Sequence, residues 1–91
     1  MEFEWDPEKA AINLAKHHVP FEYATRVFLD SHRLDSVDDR RDYAEERRFA
    51  LGRIEGRVFA VSYTRRNETI RLISARKANE REIKRYGKIP S

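Results

Sequence analysis

Apolar residues recur at helical spacing in the first third of the chain and at strand spacing through most of the rest. Phe3-Glu4-Trp5 alternates over too few residues to define a strand, but it runs into Asp6-Pro7-Glu8. There Asp6 can cap a helix and Pro7 can take its first position. A helix from about Pro7 to His17 follows. Along it Ala11, Ile12, Leu14 and Ala15 form an apolar side. Lys9, Asn13, Lys16 and His17 gather within about a quarter of the opposite circumference, at ~100° per residue.

Pro20 restarts the helical pattern, and Phe21, Ala24 and Phe28 recur at spacings of three and four, with Tyr23 and Val27 widening the stripe. This second helix is predicted to end near Asp30. The stretch DSHRLDSVDDRRDYAEE carries the least pattern, reading as an edge strand around Arg33 to Val37 and then a charged loop. After Arg47 the period becomes two. RFALGRI and RVFAVSYT flank Glu55-Gly56, a two-residue hairpin turn in which Gly56 supplies positive φ. Asn67-Glu68 offers a second turn before TIRLISA. Asn79 and Glu82 have capping-box spacing and start a last helix through Tyr86, with Gly87 at its end.

These elements predict an α+β fold: two N-terminal helices packed on an antiparallel sheet of three or four strands, then a C-terminal helix. Turns at Glu55-Gly56 and Asn67-Glu68 place Phe49, Leu51, Val58, Ala60, Ser62, Thr64, Arg66, Arg71, Ile73 and Ala75 on one sheet face. Phe59, Val61, Tyr63, Ile70, Leu72 and Ser74 take the other. The second set is the more continuously apolar and is assigned to the core, which leaves Arg66 and Arg71 on the more open face. Arg76 alternates nominally to the core side, at a strand end where the pleat stops governing direction.

At 91 residues the chain has room for one domain, spanning 1–91, with a thin core. Apolar residues at 40% and charged ones at 38% exclude disorder and imply a heavily solvated exterior. The net charge is only +3, but 14 of the 19 basic residues are Arg, whose planar fork suits phosphate and carboxylate. That balance fits an anionic partner, or Arg paired with the protein's own 16 acids. With no cysteine, disulfides and thiolate metal sites are excluded. The acidic start MEFEWDPEK has no basic or apolar leader, and no run of apolar residues is long enough to span a bilayer. A cytoplasmic protein is the expectation.

Catalytic motifs are few. The histidines are His17, His18 and His32, and the first two point about 100° apart on a helix, so they do not readily share a metal. Asp35, Asp38, Asp39 and Asp42 lack the alternating register of a calcium loop. There is no Gly-x-Ser-x-Gly elbow and no glycine-rich phosphate loop. No metal or cofactor is expected. What remains is a basic surface with carboxylates, histidine and tyrosine nearby. RNA can be cut on such a surface because its own 2′-OH is the nucleophile, so the protein must position it, move protons and stabilise phosphate charge. Arg serves the last task, and His17, Lys16, Tyr63 or an acid such as Glu45 are the candidate proton carriers. A module that binds nucleic acid or a protein partner without catalysis is the alternative.

The run Phe3-x-Trp5-Asp6-x-x-Lys9, then Asn13-x-x-Lys16-His17-x-Val19-x-Phe21-x-x-Ala24-x-x-x-Phe28-x-Asp30, resembles the BrnT family of toxins from type II toxin–antitoxin systems. So do Glu45-x-Arg47, Gly52, Tyr63-Thr64-x-Arg66, and Ile70-Arg71-x-Ile73-Ser74-Ala75-Arg76-x-Ala78 with Glu82 and Tyr86. The resemblance implies a RelE-like ribonuclease toxin that halts translation and growth by cutting RNA. It also implies neutralisation by a BrnA-type antitoxin carrying a DNA-binding domain, the two assembling as a heterotetramer. By the same resemblance Arg66 and Arg76 are the active-site arginines, with Glu45 and His17 as further catalytic candidates and Lys9, Lys16, Arg47 and Arg71 as RNA-binding ones. The chain departs from the family pattern at His18 and Asn67, each in place of Gly, and at Ala44 and Arg48, in place of Gly and Trp.

Overall fold

A computed structural model describes residues 1–39 and 45–88; Asp42 and Ala44, singled out above, lie outside them. Strand β1 (Glu2–Glu4) leads into helix α1 (Pro7–His17), helix α2 (Phe21–Ala24) and a 3₁₀ segment, Thr25–Leu29. Strands β2 (Leu34–Asp38), β3 (Arg47–Ile54), β4 (Arg57–Arg66) and β5 (Thr69–Lys77) follow, then helix α3 (Glu80–Gly87). The fold is α+β as expected, but the sheet is mixed and has five strands in the order β1-β5-β4-β3-β2. The added strand is β1, which runs parallel to β5 and pairs Phe3 with Ile70 and Glu4 with Arg71. Three residues of alternation are too short a signal to predict it. No helix among the described residues is long and apolar enough to cross a membrane.

Local chemistry explains most boundaries. The Asp6 side chain accepts from the Glu8 N–H at 2.9 Å, with Pro7 just inside α1. His18 closes α1 in the left-handed conformation, φ 61°, its N–H donating to the Leu14 carbonyl at 2.9 Å. At the hairpin between β3 and β4, Glu55 and Gly56 both have positive φ, 50° and 83°. Asn67 has φ 56° in the turn between β4 and β5, a conformation Asn tolerates better than most residues. Asn79 and Glu82 complete a reciprocal capping box at the start of α3. The expected helix from Pro20 to Asp30 holds as α helix only through Ala24 and then tightens to 3₁₀. Thr25 marks the change, its hydroxyl donating to the Glu22 carbonyl at 2.7 Å.

That 3₁₀ segment crosses β3 at very close range. A Cβ built on Gly52 would stand 2.7 Å from Val27 Cβ and 3.0 Å from the Val27 carbonyl oxygen, backbone that cannot simply swing away. Gly52→Ala is therefore expected to cost about 2–3 kcal/mol through overpacking. The loss should appear as a lower urea midpoint at unchanged m-value.

The main core lies between one sheet face and α2 with the 3₁₀ segment. Ala50, Ile54, Phe59, Val61, Tyr63, Ile70, Leu72 and Ala75 come from the sheet, and Val19, Phe21, Ala24, Val27 and Phe28 pack on them. The other face is only half open, because α3 lays Tyr86 over Leu51, Val58 and Ala60 in a second, smaller cluster. Tyr86 is fixed there by a hydrogen bond from its hydroxyl to Asp30 at 2.5 Å.

Two sequence expectations about faces are corrected. First, β5 carries a bulge: Ser62 pairs with Ser74 and Tyr63 with Leu72, so Ile73 is an extra residue. Beyond it Ser74 moves to the open face, Ala75 moves to the core, and Arg76, opposite Ala60, joins Arg71 on the open side. Second, the apolar side of α1 faces solvent, with Ile12 66% and Leu14 47% exposed. The sheet-facing residue is Asn13, only 5% exposed. Because β1 pairs only with Thr69–Arg71, the outer edge of β5 beyond them lacks a strand. The Asn13 carboxamide fills that place, donating to the Ala75 carbonyl at 2.9 Å and accepting from the Ala75 N–H at 3.0 Å. It also donates to the Val19 carbonyl at 3.1 Å.

Candidate functional site

The sheet register assembles the site. On the open face Asp38, Arg47, Thr64, Arg71 and Glu4 form one cross-strand row that runs through β2, β3, β4, β5 and β1. Arg66 projects from the same face two residues beyond Thr64, and Glu45 stands just before β3. From the helix side, Lys9 reaches over the row. All of these but Asp38 and Glu4 line, with Ile73, a hollow of about 270 Å³ whose walls are thus Lys9, Glu45, Arg47, Thr64, Arg66, Arg71 and Ile73. Among the described residues four cations and a single carboxylate border it, an arrangement that draws anions.

Glu45 brings a carboxylate to the wall of this hollow. Arg66 grips it with two contacts, 3.0 Å from Nη2 and 3.4 Å from Nε. That hydrogen bond above all, with the charges of Arg66, Arg71 and Arg47, outweighs desolvation and holds the carboxyl below its usual 4.5. Arg71 meets Glu4 at 2.5 Å. Arg66 and Glu45 are exposed, and Arg71 and Glu4 are partly so, so both pairs meet water and are exchangeable for a phosphate. Thr64 is different: it is 3% exposed, and its hydroxyl has no hydrogen-bond partner among the described residues.

Arg76 sits elsewhere. It lines a second hollow on the same face with Ser36, Asp38, Phe49, Arg81 and Arg85, among others. Both its terminal nitrogens meet Glu82, at 2.7 and 2.8 Å, and one Glu82 oxygen also caps the Asn79 N–H at 2.9 Å. Along β4 the position opposite Arg76 is six residues from Arg66, or ~20 Å between Cα atoms. The two arginines expected to converge on one phosphate therefore line different hollows. The structure instead brings Arg66 together with Arg71, Arg47, Lys9 and Glu45.

His17, half-buried near the end of α1, lines neither hollow. Burial first, then Lys16, Arg76 and His18, lower its pKa below 6.5, so the imidazole is neutral at pH 7. Lys9, Asn13 and His17 are successive i, i+4 positions on α1. The stripe identified from sequence is thus one face, which meets β5 through Asn13 and reaches the first hollow through Lys9. Lys16 is exposed beside His17. Tyr63 is on the core face, its hydroxyl donating to Asp35, and is removed from either hollow. No group of three or more His, Asp or Glu side chains placed for a metal occurs among the described residues.

Sequence reasoning missed Thr64 as a site residue and Glu4 and Glu82 as arginine partners. For Thr64 the signal was present, since strand alternation from Arg66 already places it on the open face. Glu4 became relevant only through the parallel pairing of β1.

A family model described as "Ribonuclease toxin, BrnT, of type II toxin-antitoxin system" matches residues 5–82. That span holds every candidate residue discussed above except Glu4. No curated protein matches the chain at a significant level.

Proposed function

From the premise that the chain belongs to the BrnT family of ribonuclease toxins of type II toxin–antitoxin systems, we propose that it cuts RNA without a metal ion, at the Glu45–Arg66–Arg71 hollow. The observation that carries this reading is the Glu45 carboxylate, the one such group that the described residues set among four cations on an open sheet face. Glu45 takes the proton of an RNA 2′-OH, the freed oxygen attacks the adjacent phosphorus, and the bond to the 5′ oxygen breaks. The departing 5′ oxygen takes a proton from water and Glu45 returns its own to solvent, so the products are a 2′,3′-cyclic phosphate and a 5′-OH end. Arg66 and Arg71 leave Glu45 and Glu4 for the phosphate and stabilise the charge that grows on it, with Lys9 and Arg47 adding to the field. Arg76, Lys16 and neutral His17 hold the flanking backbone.

Cutting of cellular RNA would arrest translation and growth in the cytoplasm. A BrnA-type antitoxin with a DNA-binding domain, joined to the toxin as a heterotetramer, neutralises it by setting acidic groups against this cationic face. The ion pairs of Arg66, Arg71 and Arg76 with the chain's own acids favour a second reading, a face that binds RNA or a partner without cutting.

One experiment separates the two. Purified protein is incubated with RNA in excess EDTA and the 5′ ends of the fragments are mapped. The expected result is cleavage that persists under chelation and falls about 100-fold in Arg71→Ala, as for loss of one donor to a developing oxyanion. Steeply salt-dependent binding with intact RNA would establish the second reading instead.

A further inference from the structure

We infer that the Thr64 hydroxyl is a ligand for phosphate: it donates to an anionic oxygen of a phosphate group drawn into the hollow between Arg47 and Arg71. The inference takes RNA as the phosphate's source from the nuclease reading, but the anion site is measurable without any cleavage.

The starting point is a polar atom with no reason to be polar in the free chain. Thr64 is 3% exposed, on the open face of β4, and its Oγ1 is sealed from solvent without a hydrogen-bond partner among the described residues. Buried side-chain oxygens of this kind are rare in folded proteins, and each calls for an explanation. Valine has the same shape and would carry no such penalty at this position. A hydroxyl there gains meaning only when something enters to accept from it.

The surroundings specify what enters. Arg47 on β3 and Arg71 on β5 are the direct cross-strand neighbours of Thr64. Lys9 and Arg66 border the same hollow. A cation is repelled by that wall, and a neutral ligand would leave it unused. A phosphate oxygen accepts from guanidinium forks on both sides and from a neutral donor on the floor, a combination that suits a tetrahedral group better than a flat carboxylate. The hydroxyl becomes accessible when Arg71 turns from Glu4 toward the incoming anion, and the partly exposed Arg71–Glu4 pair permits that exchange. Thr64 thereby adds a short-range, orienting contact to a field that is otherwise long-range and undirected.

The test titrates the full chain with inorganic phosphate and, separately, with a nucleoside 3′-monophosphate, following amide and hydroxyl proton shifts at Thr64 and Arg71 by NMR. Saturable binding to wild type is expected, with the Thr64 hydroxyl proton becoming protected from exchange. Thr64→Val should bind about tenfold or more weakly, as for a lost hydrogen bond to a charged group, while its thermal midpoint stays equal to or above that of wild type. Thr64→Ser should keep most of the affinity. Equal affinity in Thr64→Val, no protection of the hydroxyl proton, or no saturable binding by wild type would each overturn the inference. Were Thr64→Val not to fold, hydroxyl protection in wild type still decides. The two readings fail separately: Thr64-dependent phosphate binding with intact RNA defeats the nuclease and leaves the anion site, whereas cut RNA with Thr64-independent binding does the reverse.

Discussion

Asn13→Ala should destabilise the protein by about 3–5 kcal/mol, the cost of leaving the Ala75 N–H, the Ala75 carbonyl and the Val19 carbonyl without partners in a buried place. Against a total of roughly 5–15 kcal/mol for a small domain, that is a large share. For a chain of this size the melting temperature should fall by about 15 °C or more. The effect is large because the carboxamide supplies both halves of a strand pairing at once, so no smaller side chain replaces it. Asn13→Asp keeps the acceptor for the Ala75 N–H but sets a buried carboxylate oxygen against the Ala75 and Val19 carbonyls, and should destabilise at least as much as alanine. Amide exchange at Ala75 gives the local check, accelerating in either variant while the pairing of β3 with β4 stays protected. A loss under about 1 kcal/mol would mean that water takes over the three bonds and that α1 is held mainly by other contacts.

Glu45→Gln should lower RNA cleavage by about 10²- to 10⁴-fold, the usual cost of removing a general base. RNA binding should hold or tighten, because Arg66 loses its competing carboxylate. The pH profile then assigns the proton acceptor, since an acceptor works only when deprotonated, and its rate is present above its pKa and lost as pH falls through it. In the free protein Glu45 is held below 4.5, chiefly by the Arg66 hydrogen bond, so kcat/KM, which reports the free protein, should stay flat through neutrality and fail only below that pH. His17 is lowered from 6.5, chiefly by burial, so an acid limb between 4.5 and 6.5 is one that Glu45 does not give and a lowered imidazole can. A limb in that interval, abolished by His17→Gln, would transfer the role to His17. Full activity in Glu45→Gln would exclude the carboxylate altogether.

The parts of this protein legible from sequence are those fixed by local chemistry. Asp6-Pro7, Glu55-Gly56 and Asn79 with Glu82 each specify their turn or cap through a few adjacent atoms, and each is found where it was expected. The pairing of α1 with the sheet was not legible, because it turns on one amide answering a strand edge 62 residues away. Periodicity ranked Ile12 and Leu14 above Asn13 for burial; the unfilled hydrogen bonds of β5 reversed that order. The candidate site was legible as a set of residues, and the separation of Arg66 from Arg76 was not. That separation depends on how far along paired strands each residue falls, which residue types do not encode.

One unpaired residue, Ile73, decides which side of the sheet the last arginine of β5 occupies. Arg71 and Arg76 are an odd number of positions apart, so an uninterrupted strand would send one of them through the sheet. Chain length between them is consequently under a parity constraint: losing or gaining a single residue there would drive a guanidinium into the apolar interior. The same change after Lys77 would merely lengthen or shorten a connection. Relatives of this chain should therefore vary freely in length on one side of Lys77 and change only in compensated steps on the other.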